Sequence, residues 1–212
     1  SNQPMIDPEW GLALVFNGAI YNYRELRREL QSRGYRFFSE GDTEVILKAY
    51  AEWGEQCVEH LIGMFAFALW SQRERTLFLA RDRLGIKPLY YSRTPCAFRF
   101  ASNSQALLAA PDVDTAIDPV ALHHQLTLHA VIPAPRTLLQ GVRKLAPATT
   151  LTIDAQGNER SRTYWRLIAQ RPAQPRTEAE WTQAVHDALR LAVRRRLDIA
   201  DVPVGVLLSG GL

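Results

Sequence analysis

The residues best suited to chemistry lie in one short stretch, Phe16-Asn17-Gly18-Ala19-Ile20-Tyr21-Asn22. Asn17 offers a side-chain NH2 and Gly18 an unhindered backbone N–H, two neutral donors able to converge on one oxygen. The tetrahedral oxyanion of an acyl transfer needs such a pair. Asn-Gly is also a common tight turn, so the dipeptide alone leaves both readings open. A carboxylate follows in Gly41-Asp42-Thr43-Glu44, where Asp42 reads either as a helix cap or as the acceptor of a substrate ammonium group. The chain ends in Pro203-Val204-Gly205-Val206-Leu207-Leu208-Ser209-Gly210-Gly211-Leu212. There an apolar strand runs into small residues that let backbone N–H groups close around phosphate oxygens. No Lys follows, so this is not the common P-loop form, and a strand-ending turn is the plain alternative.

Metal and thiol chemistry find little support. His123 and His124 are adjacent and face different directions on a helix, and His129 has no acidic or Cys cluster beside it. No metal site is expected. Cys57 and Cys96 lack metal or redox spacing, so each reads as a small packing residue in a reducing, cytoplasmic compartment.

The elements that must position Asn17 and Asp42 can be read from periodicity. Leu12 to Phe16 forms an apolar strand and Asn17-Gly18 a polar hinge, after which Asn22 and Glu25 make a capping-box-like start to a helix. Leu26 and Leu30 give that helix its buried face and Gly34 its stop. Tyr35 to Phe38 reads as a short aromatic strand. A second helix opens at Asp42 or Thr43, buries Val45, Ile46, Ala49, Tyr50 and Trp53, and stops at Gly54. Met64 to Trp70 is apolar on both faces, the pattern of a central strand, and Thr76 to Asp82 is its hairpin partner. Leu89 to Tyr91 and Phe98 to Ala101 form a second hairpin. The loop between the hairpins, Arg81 to Pro88, reads as an internally salt-bridged turn.

Asp118-Pro119 starts another helix, and Thr149 to Ile153 and Ser161 to Trp165 are strands. A polar, proline-bearing linker spans Ala169 to Arg176. Beyond it Thr177 and Glu180 form a capping box for a long amphipathic helix. Helices followed by paired antiparallel strands define an α+β layered domain.

Composition bounds the function. The 212 residues, 47% apolar and 22% charged, suffice for one large core and part of a second. A net charge of +3 with scattered basic residues gives no footprint for nucleic acid. No apolar run approaches the roughly 20 residues needed to span a bilayer, so no membrane partner is expected.

Several stretches together carry a family resemblance. Phe16 to Leu26, Gly41 to Glu44, Gly63 to Ala68, Ala80 to Tyr91, Asp201 to Gly205 and the Ser-Gly-Gly-Leu ending resemble, in order, the glutamine-hydrolysing asparagine synthetases. Within that group, His129 to Thr137 and Leu189 to Arg196 look more like N-acetylglutaminylglutamine amidotransferase.

The resemblance implies an N-terminal-nucleophile hydrolase αββα sandwich over residues 1–170. Residues 171–212 would begin an α/β ATP pyrophosphatase domain. It implies a terminal Cys that attacks glutamine and releases ammonia, and a second site that uses ATP and Mg2+ to activate an acceptor carboxylate. Asn17 and Gly18 would supply the oxyanion hole and Asp42 would hold the α-ammonium of glutamine. Leu207, Ser209, Gly210 and Gly211 would begin the ATP site. The partners implied are glutamine, ATP and the acceptor, and a homodimer is compatible with the resemblance.

The departures are as specific. The family's catalytic Cys and the segment behind it have no counterpart here, Ala19 stands where asparagine synthetases carry Glu, and Asp-Ser-Ser does not follow Leu212. The chain therefore reads as an internal piece of a larger amidotransferase, inactive alone, with ATP and Mg2+ not expected to bind it well. Its strands near Leu12 to Phe16 and Met64 to Trp70 are then expected to lack neighbours. A non-catalytic glutaminase-like binding or dimerisation module is the alternative.

Overall fold

The computed structural model describes residues 2–200 and 202–205, and the chain divides into two units, Ser1–Arg166 and Leu167–Leu212. Among the described residues the first unit holds nine strands: β1 (Met5–Asp7), β2 (Leu12–Ile20), β3 (Gly63–Ser71), β4 (Thr76–Arg81), β5 (Tyr90–Arg93), β6 (Phe98–Ala101), β7 (Arg143–Lys144), β8 (Thr149–Ile153) and β9 (Glu159–Thr163). Its helices are α1 (Tyr23–Ser32), α2 (Asp42–Trp53), α3 (Cys57–His60), α4 (Ser104–Leu108) and α5 (Pro119–Thr127).

Two antiparallel sheets result, one ordered β1-β2-β3-β4-β8-β9 and a smaller one ordered β6-β5-β7. Alternation along β3 decides what packs on each side. Phe65, Phe67 and Leu69 meet Leu26, Leu30, Val45 and Ile46 from α1 and α2. Ala66 and Ala68 face the second sheet, where Leu89, Tyr91, Phe98 and Phe100 close the other core. Beyond the small sheet, Leu107 of α4 packs with Val113 and Val142. The layers run helix, sheet, sheet, helix, and β3 is the covered central strand its two-faced apolarity predicts.

Several local expectations give way to the structure. The strand at Leu12 has a neighbour on its outer side, since Met5–Asp7 pairs with Leu12–Leu14. Strand β3 has neighbours on both sides, and β2 lacks one only past Leu14. Tyr35 to Phe38 forms no strand, and the N–H groups of Phe38 and Ser39 go to the buried Glu44 carboxylate at 2.8 and 2.6 Å. Asn22 does not cap α1 with its side chain. It instead reaches across to His60 and Ile62, accepting from Ile62 N at 2.9 Å. In the second unit, α6 (Glu178–Asp198) starts with the capping box at Thr177 and Glu180 that the sequence predicts.

Helix α2 is covered so completely that two of its charges are interior. Glu44 is satisfied by backbone donors, as above. Lys48, 3% exposed, pairs at 2.6 Å with Asp7, 2% exposed, and so fastens α2 to the edge strand β1. Removing one partner strands the other charge in the core, which is the costly way to break a buried pair. Lys48→Ala should therefore lower the unfolding free energy by about 3–5 kcal/mol, and Lys48→Met with Asp7→Leu should recover most of that loss. Urea denaturation of the three proteins measures both effects.

Candidate active site

Asn17 and Gly18 lie inside β2, opposite Ala66 and Phe65 of β3, and not in a strand-to-helix corner. Their exposure comes from the strand's position instead. β1 covers β2 only from Leu12 to Leu14, and among the described residues no strand continues along it. The backbone groups of Phe16, Gly18 and Ile20 share this outer edge. Two of these three N–H groups are taken by side chains: Phe16 N donates to Gln3 Oε1 at 2.8 Å, and Ile20 N donates to Asp42 Oδ2 at 3.0 Å.

Gly18 sits between them. Its opposite residue, Phe65, donates its N–H to Asp82 Oδ2 at 3.1 Å, and its carbonyl accepts Asp82 N–H at 2.8 Å. Both polar groups of Phe65 thus face away from β2, and ladder alternation turns the Gly18 N–H outward. The strands approach closely here. A Cβ on Gly18 would meet Met64 O at 2.1 Å, and one on Gly63 would meet Ala19 O at 2.3 Å.

Asn17 projects to the opposite face, into a cavity of about 290 Å³ shared with Val15, Ala66, Ala68, Leu89 and Phe100. Among the described residues none holds its side-chain amide by a hydrogen bond.

Asp42 is the first residue of α2 and half-buried. Burial pushes its carboxyl above the usual range, opposed by hydrogen bonds from the N–H groups of Ile20, Asp42 and Thr43. A carboxylate at a helix N-terminus and short of solvent can accept an ammonium group. Through Ile20 it meets the same strand as Gly18, whose N–H lies about 7 Å along the chain at two strand residues. One edge thus carries a donor for an oxygen and an acceptor for a cation.

The residue that sequence reasoning missed is Asp82. Its side chain accepts from four backbone N–H groups: Phe65 at 3.1, Leu84 at 3.1, Ile86 at 2.9 and Lys87 at 2.9 Å. Arg81 does the complementary work, donating to the carbonyls of Lys87, Leu145 and Gly85 at 2.8, 2.5 and 2.8 Å. The loop is therefore not an internally salt-bridged turn, because each charge organises backbone groups of the opposite polarity. Asp followed three residues later by Gly is the signal that points to it, since Asp82 to Leu84 N is an Asx-turn contact.

The other candidates do not join this edge. Leu207, Ser209, Gly210 and Gly211 lie outside the described residues. Cys57 is buried in the helix-side core with its thiol pushed up by burial, and Cys96 is exposed in the turn between β5 and β6. Neither supplies a nucleophile here. No group of His, Cys, Asp and Glu among the described residues is arranged to hold a metal ion. No helix among them is long and apolar enough to cross a membrane.

The αββα sandwich of two antiparallel sheets is the N-terminal-nucleophile hydrolase fold. The similarity to glutamine phosphoribosylpyrophosphate amidotransferase from Bacillus subtilis supports that class, with a TM-score of 0.53 at 21% identity over 78% of this chain and 32% of that one. The glutamine amidotransferase domain model matches residues 1–165, and the chain belongs to that family.

Residues 184–212 match the asparagine synthase model. Glutamine-hydrolysing asparagine synthetase 3 of Bacillus subtilis is 38% identical over 94% of this chain and 32% of its own length. A putative glutamine-hydrolysing asparagine synthetase of Mycobacterium bovis is 39% identical over 100% of this chain and 34% of its own. The amidase chry2 of Gibberella zeae is 34% identical over 100% of this chain and 31% of its own. The chain thus spans about a third of the length of these relatives.

Asp82→Ala leaves four N–H groups without their acceptor and should cost about 3–5 kcal/mol. Asp82→Asn, which keeps one acceptor oxygen, should fall between it and the parent. Urea unfolding ranks the three, and a loss below about 1 kcal/mol for Asp82→Ala would refute the assigned role.

Proposed function

We propose that this chain carries the glutamine-binding half of a glutamine-dependent amidotransferase. The parent enzyme releases ammonia from glutamine and uses it to amidate an acceptor carboxylate. The observation that carries this reading is the outward Gly18 N–H on the strand whose Ile20 N–H is bound to Asp42. In it, Gly18 N–H and the Asn17 amide hold the side-chain carbonyl oxygen of glutamine. They stabilise that oxygen more strongly once attack makes it anionic. Asp42 accepts the α-ammonium and fixes the substrate's opposite end. The thiol that attacks comes from outside the described residues.

Similarity to asparagine synthetases supports ATP with Mg2+ as the source of acceptor activation in the parent, with Leu207, Ser209, Gly210 and Gly211 as the proposed contacts. The acceptor is aspartate or, following the resemblance of His129 to Thr137 and Leu189 to Arg196, N-acetylglutaminylglutamine.

Titrating L-glutamine into 15N-labelled protein tests the reading, because amide shifts register even weak binding. The Gly18 and Ile20 resonances should move first, and shifts confined to other parts of the chain would overturn it. Asp42→Asn should weaken binding by about tenfold or more, the loss of a charge-assisted hydrogen bond.

The pH dependence has a definite sign. Only ionised Asp42 attracts the ammonium, so affinity should fall as pH drops through its pKa. That fall should begin above the ordinary Asp value of about 3.9, because burial raises the group. Binding to Asp42→Asn should be flat over the same range.

A further inference from the structure

The outer edge of β2 is finished by a side chain. The β1–β2 ladder is last paired at Met5 and Leu14. Two residues further along, Gln3 takes over with its side chain. Its Nε2 donates to Phe16 O at 2.7 Å and its Oε1 accepts Phe16 N at 2.8 Å. One amide side chain thus makes both bonds that a neighbouring strand would make to that residue. Gln3 also borders the cavity that Asn17 enters.

The consequence falls on Gly18. The edge presents three N–H groups, and side chains occupy the first and the third. From the inner side, Asp82 holds both backbone groups of Phe65, so β3 offers Gly18 no acceptor. With Phe16 held by Gln3 and Ile20 by Asp42, the strand is pinned on either side of the glycine.

We infer that Gln3 is a positioning residue for the oxyanion donor, holding Phe16 so that the Gly18 N–H keeps a fixed aim at the substrate oxygen. This rests on the glutamine-site reading above. A purely structural alternative exists, in which Gln3 only blocks the edge against pairing with another chain. The two differ in what they predict for ligands.

The test uses the whole chain with Gln3→Met, which keeps length but makes neither bond, and Gln3→Glu, which keeps an acceptor for Phe16 N–H. The probes are L-glutamine and L-norvaline. Norvaline carries the same ammonium and carboxylate but no side-chain carbonyl for Gly18 to hold. Gln3→Met should bind glutamine about fivefold more weakly, the size of one net hydrogen bond to the substrate oxygen, and bind norvaline unchanged. Its Phe16 amide should exchange with solvent at least tenfold faster. Gln3→Glu should keep much of the Phe16 protection and an intermediate glutamine affinity.

Equal glutamine binding by Gln3→Met and the parent, with Phe16 deprotected, would overturn the inference while leaving the glutamine site standing. If the parent itself binds neither probe, the glutamine-site reading fails and the ligand-free Gly18 amide decides the positioning role. A Gly18 resonance shifted by Gln3→Met supports it, and an unmoved one overturns it.

Discussion

The Asp82 carboxylate, bound to four backbone N–H groups, is the constraint on which the rest of the site depends. Three of those donors, from Leu84, Ile86 and Lys87, fold the loop back on the end of β4. The fourth, from Phe65, belongs to the central strand. One side chain therefore couples the loop to the strand that faces Gly18. Arg81 completes the arrangement with three carbonyls, and Tyr164 closes it from outside by donating to Arg81 O at 2.8 Å. Such charge-assisted bonds are stronger than neutral ones and leave few alternative geometries. Burial pulls the Arg81 guanidinium down, and the neighbouring Asp82 charge opposes that pull.

An exposed strand edge is normally a hazard, because its free N–H and C=O groups invite pairing with another chain. Here the edge is nearly closed by side chains rather than by a strand, with Gln3 on Phe16 and Asp42 on Ile20. Of the three N–H groups on this edge, the one left without a side-chain partner among the described residues is that of Gly18, at a position where the approach of Met64 O leaves no room for a Cβ. The local demands of fold protection and of the proposed anion stabilisation thus point the same way.

How much of this was legible in the sequence depends on how far each interaction reaches along the chain. The central strand Met64 to Trp70, the two hairpins, the second helix and the Thr177–Glu180 capping box depend on patterns within ten residues, and all appear as expected. The layered α+β class follows from those elements. Asn22 shows the limit: its local context fits a capping box, but His60 and Ile62, nearly forty residues on, offer better partners.

Glu44 likewise accepts the N–H groups of Phe38 and Ser39, and no periodicity announces that. Lys48 occupies a helix position that any pattern assigns to solvent, yet it is buried because Asp7 sits beneath it. Of the edge, Asn17, Gly18 and Asp42 were visible as residue types. Gln3 was not, because its partner is a backbone residue whose direction only the sheet register sets, and Asp82 showed only its local Asx-turn spacing and not its bond to Phe65.

Placing the two ends of the proposed substrate site on one strand makes β2 a ruler. Strand geometry fixes Gly18 N and Ile20 N about 7 Å apart, and Asp42 lies 3.0 Å from the second of them. A ligand that meets both ends must separate its carbonyl from its ammonium by a matching length. Glutamine spans about 5 Å between its amide carbon and α-amino nitrogen by ordinary bond lengths, and asparagine is one methylene shorter. Neither end can adjust easily. The strand is held by β3, and α2, which carries Asp42, is buried along eight consecutive residues from Thr43 to Tyr50. In the proposed site, discrimination between the two amides therefore comes from the rigidity of the sandwich rather than from a closing loop. The missing methylene leaves either the carbonyl short of Gly18 or the ammonium short of a half-buried carboxylate. Each outcome leaves a polar group without its partner, which disfavours the shorter ligand more than lost contact area alone.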